Sequence, residues 1–275
     1  MQDTNLGRHD YFAGRTAVIA TMHKKEEVIA PLLEAALNVN TMVPKGFDTD
    51  QFGTFTGETA RAGDQLAAAR AKARAALEHT GGDLAIASEG SFNPDPNLPF
   101  LANNLELVVL IDTTHDLEII GQHRYQTPLG RGSIVTNSDD ACALAADWGF
   151  PEQGVILRHQ AGKTRGMQKD INDENTLRQA IDTALRWPWR RSLFLETDLR
   201  AHRCPARQER IAAATKDLIE NCQRSCPACS TPGFAMVDSV PGLPCAWCGR
   251  PTDRPLAFTY QCQACAYIRE HSAET

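Results

Sequence analysis

Three Cys-x-x-Cys pairs stand close together near the carboxyl terminus of the sequence. They are Cys226/Cys229, Cys245/Cys248 and Cys262/Cys265. Two thiolates in one tight turn can hold one side of a Zn²⁺ ion, and a second pair completes a tetrahedron of sulfur ligands. A site closed by four thiolates leaves no position for a substrate, so the pattern predicts structural zinc.

The sequence leaves open how the three pairs combine. The 13 residues between Cys248 and Cys262 give the last two pairs the spacing of a zinc ribbon. The first pair could instead replace one of these two pairs. It could also bind a second ion with the help of another cysteine or histidine, from among Cys204, Cys222, His202 and His271.

The cysteines are unevenly distributed, and this distribution predicts the domain organisation. Of nine cysteines, only Cys142 precedes residue 200. Clustered pairs in a cytoplasmic chain are more typical of metal ligands than of disulfides. We therefore expect an α/β body over residues 1–221 and a small zinc ribbon over residues 222–275.

The composition of the 275-residue chain narrows the class of protein. With 42% hydrophobic and 23% charged residues, it is typical of globular domains. Apolar runs such as residues 107–111 are far shorter than the roughly 20 residues of a membrane span, and the polar amino terminus lacks a signal-peptide core. We expect a cytoplasmic protein without a membrane partner. The net charge of −6 disfavours general binding to nucleic acid, although a local basic patch remains possible.

A second group of residues suits phosphate chemistry, because charged side chains follow predicted strands. Lys24 and Lys25 stand where the first helix begins, and a helix start with a nearby lysine attracts phosphate. Glu58 opens a long helix, and Glu89 follows a buried strand. The two carboxylates could share Mg²⁺ and activate water for hydrolysis. Alternatively, these residues are solvated turns and helix starts.

The segment from Glu196 to Arg207 also concentrates titratable side chains. Arg200 and Arg207 could make forked contacts to phosphate. His202, and His23 earlier in the chain, are candidate acid or base groups. The competing interpretation is a structural network in which Glu196 and the nearby Asp198 pair with the arginines.

The elements that must position these residues alternate along the chain. Apolar periodicity predicts an α/β fold with a mixed sheet. Pro31 lies inside the first predicted helix, so that helix could begin nearer residue 30. The predicted strands cover residues 16–23, 84–88, 105–112, 118–124, 155–158 and 192–196, and the predicted helices cover 26–37, 60–79, 139–148, 175–186 and 205–221.

Several motifs resemble a bacterial family known only as a domain of unknown function. They are the tail motifs Cys226-Pro-Ala-Cys229 and Cys245-Ala-Trp-Cys248-Gly-Arg-Pro, together with Glu196-Thr-Asp-Leu-Arg-Ala-His202 and Asp48-Thr-Asp-Gln-Phe-Gly-Thr-Phe-Thr-Gly-Glu58. The resemblance covers most of the chain. It implies a shared architecture but no activity.

The body also resembles the inosine/xanthosine triphosphatase superfamily. The similar segments are Glu58-Thr-Ala-Arg-Ala-Gly63 with its helix, and Asp83-Leu-Ala-Ile-Ala-Ser-Glu89-Gly90. In that superfamily a lysine, an acidic residue opening a helix and an acidic residue after a strand follow one another in this order. The resemblance implies a nucleotide-pyrophosphatase-like body that hydrolyses a nucleoside triphosphate or related nucleotide with Mg²⁺.

Two other functions stay open from the sequence. The chain could be a non-catalytic module that binds a nucleotide or nucleic acid and carries a structural zinc ribbon. The run Arg186-Trp-Pro-Trp-Arg190-Arg191 supports it, because stacking aromatic rings and cations together suit single strands. A metal-dependent nuclease using the same acidic residues is the other alternative.

Overall fold

The computed structural model describes residues 11–21, 24–47, 64–187 and 189–273. Within these residues the chain is a mixed α/β protein with three sheets. The helices are α1 (Glu26–Leu37), α2 (Gln65–Thr80), α3 (Ser138–Asp147), α4 (Glu174–Leu185) and α5 (Pro205–Gln223). The strands are β1 (Thr16–Ala20), β2 (Asn40–Met42), β3 (Leu84–Pro94), β4 (Leu101–Asp112), β5 (Leu117–Pro128), β6 (Gly132–Val135), β7 (Val155–Arg158), β8 (Gln168–Ile171), β9 (Leu193–Thr197), β10 (Ala235–Pro241), β11 (Pro255–Gln261) and β12 (Ile268–Ser272). Among the described residues, we find no helix that could span a membrane.

The first sheet has the strand order β2-β1-β3-β4-β5. Strand β1 runs parallel to β2 and β3, whereas β3, β4 and β5 form an antiparallel meander. The sheet is therefore mixed, which confirms the predicted fold class. Since β1 ends at Ala20 opposite Ala87, the longer strand β3 continues past the carboxyl end of β1.

Both faces of the first sheet are buried, and each face has its own helices. Helix α2 covers one face with small residues such as Ala69 and Ala73, which pack on Val18 and Val109. Helices α1 and α5 cover the other face, where their apolar residues pack with those of the sheet, among them Ile19, Ile29, Leu33, Leu110, Ile211 and Leu218. Side chains that alternate along one strand therefore meet different helices.

Helix α5 approaches the sheet closely at one glycine. A Cβ atom at Gly121 on β5 would collide with the backbone of α5 at Ala214 and Leu218. The absence of a side chain there lets the helix backbone lie directly on the strand.

The second sheet, β6-β9-β7-β8, is antiparallel and lies between β5 and α5 in the sequence. Helices α3 and α4 cover it with a separate core that includes Ala141, Leu177 and Leu195. The predicted body of residues 1–221 thus contains two hydrophobic cores. The chain leaves the first sheet after β5, builds the second sheet and returns through α5.

Element boundaries differ from the sequence prediction in instructive places. Helix α1 begins at Glu26 and continues through Pro31. Proline has no N–H to donate to the carbonyl oxygen of Glu27, but both residues are exposed, so water can bond to that oxygen. Helix α2 begins after Asp64, which accepts a hydrogen bond from the N–H of Ala67. The predicted helical residues 60–63 lie outside the described residues.

Strand β3 also differs, and this difference affects the candidate site. The sequence predicts that the strand ends at Ser88, followed by a polar turn. In the structure β3 continues to Pro94, because residues 88–94 pair with β4 in unbroken register. Glu89 therefore lies within a strand and not in a turn.

Candidate functional site

Four cysteines of the tail converge on one point. The Sγ atoms of Cys226, Cys229, Cys262 and Cys265 all lie within 4.8 Å of one another. The first pair precedes β10 and the second lies between β11 and β12, so the three-stranded sheet β10-β11-β12 brings both turns to one end. The structure thus favours the alternative in which Cys226 and Cys229 replace the middle pair.

The spacing of these thiols fits zinc. Zn–S bonds of about 2.3 Å in a tetrahedron place the sulfur atoms about 3.8 Å apart. The Sγ atoms of Cys226 and Cys265 are 3.7 Å apart, and those of Cys229 and Cys262 are 3.6 Å apart. The four thiols can therefore hold a metal ion such as zinc.

All three Cys-x-x-Cys turns have the same backbone structure. In each, the N–H of the first cysteine donates to the carbonyl oxygen five residues later, at 2.8–2.9 Å. The N–H four residues after that cysteine donates back to its carbonyl oxygen, at 2.9–3.0 Å. The residue at that position has a left-handed backbone in every case: Ser230, Gly249 and Ala266. We call this hydrogen-bonded turn a knuckle.

The middle knuckle, Cys245/Cys248, lies apart from the four-thiol group. It connects β10 to β11 and so stands at the opposite end of the small sheet. This placement differs from the spacing-based prediction that Cys245 and Cys248 face Cys262 and Cys265. The backbone N–H groups of Cys248 and Trp247 point to the Cys245 thiol and lower its pKa.

The other residues proposed as further metal ligands for the first pair lie elsewhere. Cys222 on α5 is buried in the core of the first sheet, and burial raises the pKa of its thiol. Cys204 is also buried, which raises its pKa as well. His271 on β12 packs edge-on against the ring of Tyr260, with centroids 5.2 Å apart.

The ribbon is attached to the first sheet by specific hydrogen bonds. Gln263 lies inside the third knuckle, and its side-chain amide donates to the backbone carbonyl of Glu118 and accepts from the N–H of the same residue. The guanidinium of Arg224, just after α5, lies 5.6 Å from the ring centroid of Tyr260. Helix α5 itself extends to Gln223, past the predicted domain boundary at residue 221.

A second cluster lies in the body, where β3 passes the carboxyl end of β1. On the face of the sheet covered by α2, Glu89 forms an ion pair with Lys72 of that helix. Both side chains are buried, and the side-chain amide of Gln65 donates to the Glu89 carbonyl oxygen at 2.8 Å. The predicted catalytic residue Glu89 is thus held by a buried lysine.

On the opposite face of the sheet a second buried ion pair, Arg207–Glu106, lies beside Gly90, the residue that follows Glu89 on β3. Arg207 donates from Nε to Oε1 of Glu106 at 2.6 Å, and both residues are buried. Burial would lower the pKa of Arg207, but the Glu106 carboxylate raises it, so the guanidinium stays charged. A Cβ atom at Gly90 would collide with both groups of this pair, so the glycine leaves the space that they occupy.

Lys25 lies close enough to both ion pairs for their charges to affect its pKa. Its side chain is buried where β1 would continue, and its Nζ donates to the Ser88 carbonyl oxygen at 3.2 Å and to the Ser88 hydroxyl at 3.1 Å. Burial, together with the nearby charge of Arg207, lowers the pKa of Lys25 to about 8. Lys25 and the two ion pairs are called the β3 cluster below. Its described residues comprise three cations and two carboxylates, so they carry one excess positive charge at neutral pH.

Other predicted site residues lie elsewhere. Lys24 is exposed and pairs with Glu27, with Nζ and Oε1 3.3 Å apart. Glu58 and His23 lie outside the described residues.

Arg200 and His202 belong to a separate group, called the β9 cluster. Arg200 donates through Nη2 to Asp198 at 2.6 Å and to Asp170 at 2.7 Å. The Nε2 atom of His202 is 3.5 Å from Asp170, and burial together with Arg200 lowers the pKa of this histidine. The structural-network interpretation thus describes Arg200 and Asp198. Glu196 pairs instead with Arg158, at 2.6 Å.

Two members of the β3 cluster were missed by the sequence reasoning. Lys72 lies in an Ala- and Arg-rich helix, where a lysine is normally solvated. Glu106 lies next to the apolar run of β4, and a charged residue at a buried register position was the available signal.

A basic groove lies beside β7 and β9. Its volume is about 540 Å³, and it is lined by His159, Gln160, Lys163, Arg165, Trp189, Arg190, Arg191 and Ser192. The indole rings of Trp187 and Trp189 have centroids 5.2 Å apart, and 73% of the surface of Trp189 is exposed. The described lining contains four lysine or arginine residues and no acidic residue.

Comparison with known proteins identifies a family but no activity. Among curated proteins, none matches this chain. Residues 72–273 match a family described as a domain of unknown function (DUF6671). The match covers most of the body, the three strands of the ribbon and both knuckles that hold the four-thiol group. The chain therefore belongs to the DUF6671 family, as its motifs predicted.

Proposed function

We propose that the protein binds a nucleoside triphosphate or a related nucleotide at the β3 cluster and hydrolyses it. The observation that carries the proposal is the burial of three cations, Lys25, Lys72 and Arg207, within one cluster. A phosphate group is an anion that lysine and arginine side chains commonly bind. The cluster also lies at the carboxyl end of β1, where α/β proteins place their ligands.

Each cluster residue has a distinct role in this proposal. Lys25, at the start of α1, donates to the phosphate together with the positive end of the helix dipole. Arg207 is held by Glu106 and adds its charge without direct contact. Glu89 is the carboxylate for water activation, and this role requires it to exchange its bond with Lys72.

The finer proposal adds Mg²⁺, which would be held by Glu89 and Glu58 and would polarise the phosphoryl group. A structural zinc ion in the ribbon would take no part in this chemistry. Its role would be to keep the carboxyl-terminal sheet folded against β5.

The test measures phosphate and pyrophosphate release from a panel of nucleoside triphosphates, including ITP and XTP, with Mg²⁺. The double variant Lys72→Gln/Glu89→Gln removes both buried charges together, which limits the loss of stability. We expect it to fold and to lose release by at least roughly 100-fold. Folding is checked by circular dichroism.

A matched control is available on the same helix and sheet. Arg70 and Glu118 also form an ion pair between α2 and the first sheet, with Nη2 and Oε1 2.6 Å apart. The variant Arg70→Gln/Glu118→Gln should keep full release. Absence of release by the natural protein with every nucleotide would contradict the hydrolase proposal.

The basic groove supports a second candidate function, binding of single-stranded nucleic acid. Exposed tryptophan rings can stack on bases, while the lysine and arginine side chains contact the backbone phosphates. This is a local property of the groove, since the whole chain carries a charge of −6.

Fluorescence anisotropy of a labelled oligonucleotide tests this candidate. Binding should weaken steeply between 50 and 200 mM salt, as counterion release requires. Arg190→Ala/Arg191→Ala should weaken binding by roughly 10-fold or more. Arg131→Ala, which removes an exposed arginine paired with Asp147, should leave it unchanged. No binding at low salt would exclude this function.

A further inference from the structure

The middle knuckle is built like a zinc ligand turn but has no facing pair. Its two hydrogen bonds, and its left-handed residue four positions after the first cysteine, match those of the two knuckles that form the four-thiol group. A metal ligand set needs at least three side chains, and the described residues offer no third cysteine, histidine or acidic group near Cys245 and Cys248. The turn therefore holds half of a tetrahedral site.

The four-thiol group shows how a second knuckle completes such a half-site. Two knuckles that face each other place four sulfur atoms within 4.8 Å, with S–S separations suited to zinc. All nine cysteines lie among the described residues, so no further thiol of the same chain remains to be located. Another copy of the middle knuckle would supply an identical ligand pair.

We infer that Cys245 and Cys248 bind a second zinc ion shared between two copies of the chain. Each copy contributes two thiolates, and a twofold axis passes through the metal ion. Such an arrangement is self-complementary, which is the usual symmetry of homodimers.

The surface around the knuckle supports this assignment. Trp247, between the two cysteines, has 96% of its surface exposed, the largest exposed fraction among the hydrophobic residues at the described surface. Tryptophan is enriched among the residues that contribute most to the affinity of protein–protein interfaces. In the dimer each indole ring would pack beside the knuckle of the other copy.

The backbone at this end also provides a rigid base. Pro244 and Pro251 face each other in an isolated antiparallel β-bridge across the turn. The N–H of Gly242 donates to the carbonyl oxygen of Arg254 at 3.0 Å. The two thiols are therefore presented on a fixed turn and not on a loose loop. Pre-organised ligands need little ordering when the metal ion binds.

The test measures zinc content and molecular mass of the full chain, purified under reducing conditions. The structure predicts about 1.5 zinc ions per chain, from one complete internal site and one shared site. The mass measured by light scattering should be about twice the 30.1 kDa of one chain.

A paired variant and a control make the result specific. Cys245→Ser/Cys248→Ser should lower the zinc content to about 1.0 per chain and halve the mass. The retained internal zinc would show that the variant is folded. Ala246→Ser adds a hydroxyl group to the same turn but keeps both thiols, so its zinc content and mass should equal those of the natural protein.

Three results would overturn the inference. One is a natural protein that is monomeric with about 1.0 zinc ion per chain, and another is a monomer with about 2.0. The third is a dimer that persists in Cys245→Ser/Cys248→Ser. None of these results depends on the proposed nucleotide hydrolysis.

Discussion

The β3 cluster and the β9 cluster each contain a buried arginine–carboxylate pair, yet the net charges of their described residues differ in sign. The β3 cluster combines three cations with two carboxylates. The β9 cluster combines one guanidinium with Asp170 and Asp198, and its histidine has a lowered pKa that favours the neutral form. Their described residues therefore carry about +1 and about −1 at neutral pH.

The environments of the two clusters differ as well. Both ion pairs of the β3 cluster are buried, whereas 58% of the Asp170 side chain in the β9 cluster is exposed. Water therefore screens part of the β9 network but little of the β3 cluster. We therefore propose the β3 cluster, and not the β9 cluster, as the anion-binding site, because of the sign and the burial of the charge on its described residues.

The largest effect is expected from breaking one buried pair of the β3 cluster. Glu106→Gln removes the carboxylate charge that faces the buried Arg207 guanidinium, which should lower the free energy of unfolding by about 3–5 kcal/mol. Urea denaturation measures this loss. Glu106→Leu/Arg207→Met removes both charges and should recover most of it. A loss below about 1 kcal/mol for Glu106→Gln would show that the pair is open to solvent.

The next effect concerns ligand affinity at the same cluster. Lys25→Met should weaken binding of inorganic tripolyphosphate by roughly 10- to 100-fold, because hydrogen bonds from a charged group are lost. Isothermal titration at pH 7 measures the change. The adjacent Lys24 is exposed, so Lys24→Met is the matched control and should bind normally. Equal affinity of both variants would remove Lys25 from the site.

The pH dependence of that affinity sharpens the assignment. Because burial lowers the pKa of Lys25 to about 8, the side chain loses its positive charge as the pH rises from 7 to 9. The affinity for tripolyphosphate should fall roughly tenfold over this range, relative to Lys25→Met, in which this contribution is absent. An identical pH profile in both proteins would contradict the assignment.

The smallest effect is expected in the β9 cluster. Asp170→Asn removes a half-exposed partner, while Arg200 keeps its bonds to the buried Asp198. The free energy of unfolding should fall by at most about 1 kcal/mol, as measured by urea denaturation. Tripolyphosphate affinity should be unchanged. A large loss of affinity would mean that the two clusters act as one site.

Sequence patterns predicted the elements with buried apolar runs or stripes well, because the apolar residues of these elements recur at a clear period. The buried strand β7 and the helix α4 are examples. The short strands β2, β6 and β8 were missed, since each has only three or four residues and little apolar content. Their strand structure comes from pairing with neighbours, which no local pattern records.

The sequence indicated which residue types form the candidate sites, but not which residues contact one another there. Glu89, Lys25 and Arg207 were among the candidate residues and lie in one cluster, whereas Lys72 and Glu106 were not candidates, since their burial depends on which helix covers which face. Similarly, the cysteine spacing indicated a metal site, but the path of the ribbon decides which knuckles meet. Partner choice is a property of tertiary structure.

The return of α5 to the first sheet has a consequence during synthesis on the ribosome. Strand β5 ends at Pro128, but α5, which covers it, begins only at Pro205. At ordinary elongation rates this part of the apolar face stays uncovered for on the order of ten seconds, until α5 has been synthesised. The second sheet, with its own core, can fold during this interval. The nascent chain would then have a folded second sheet and a first sheet with one exposed apolar face. At this stage aggregation is most favourable, so binding by a chaperone would be most useful.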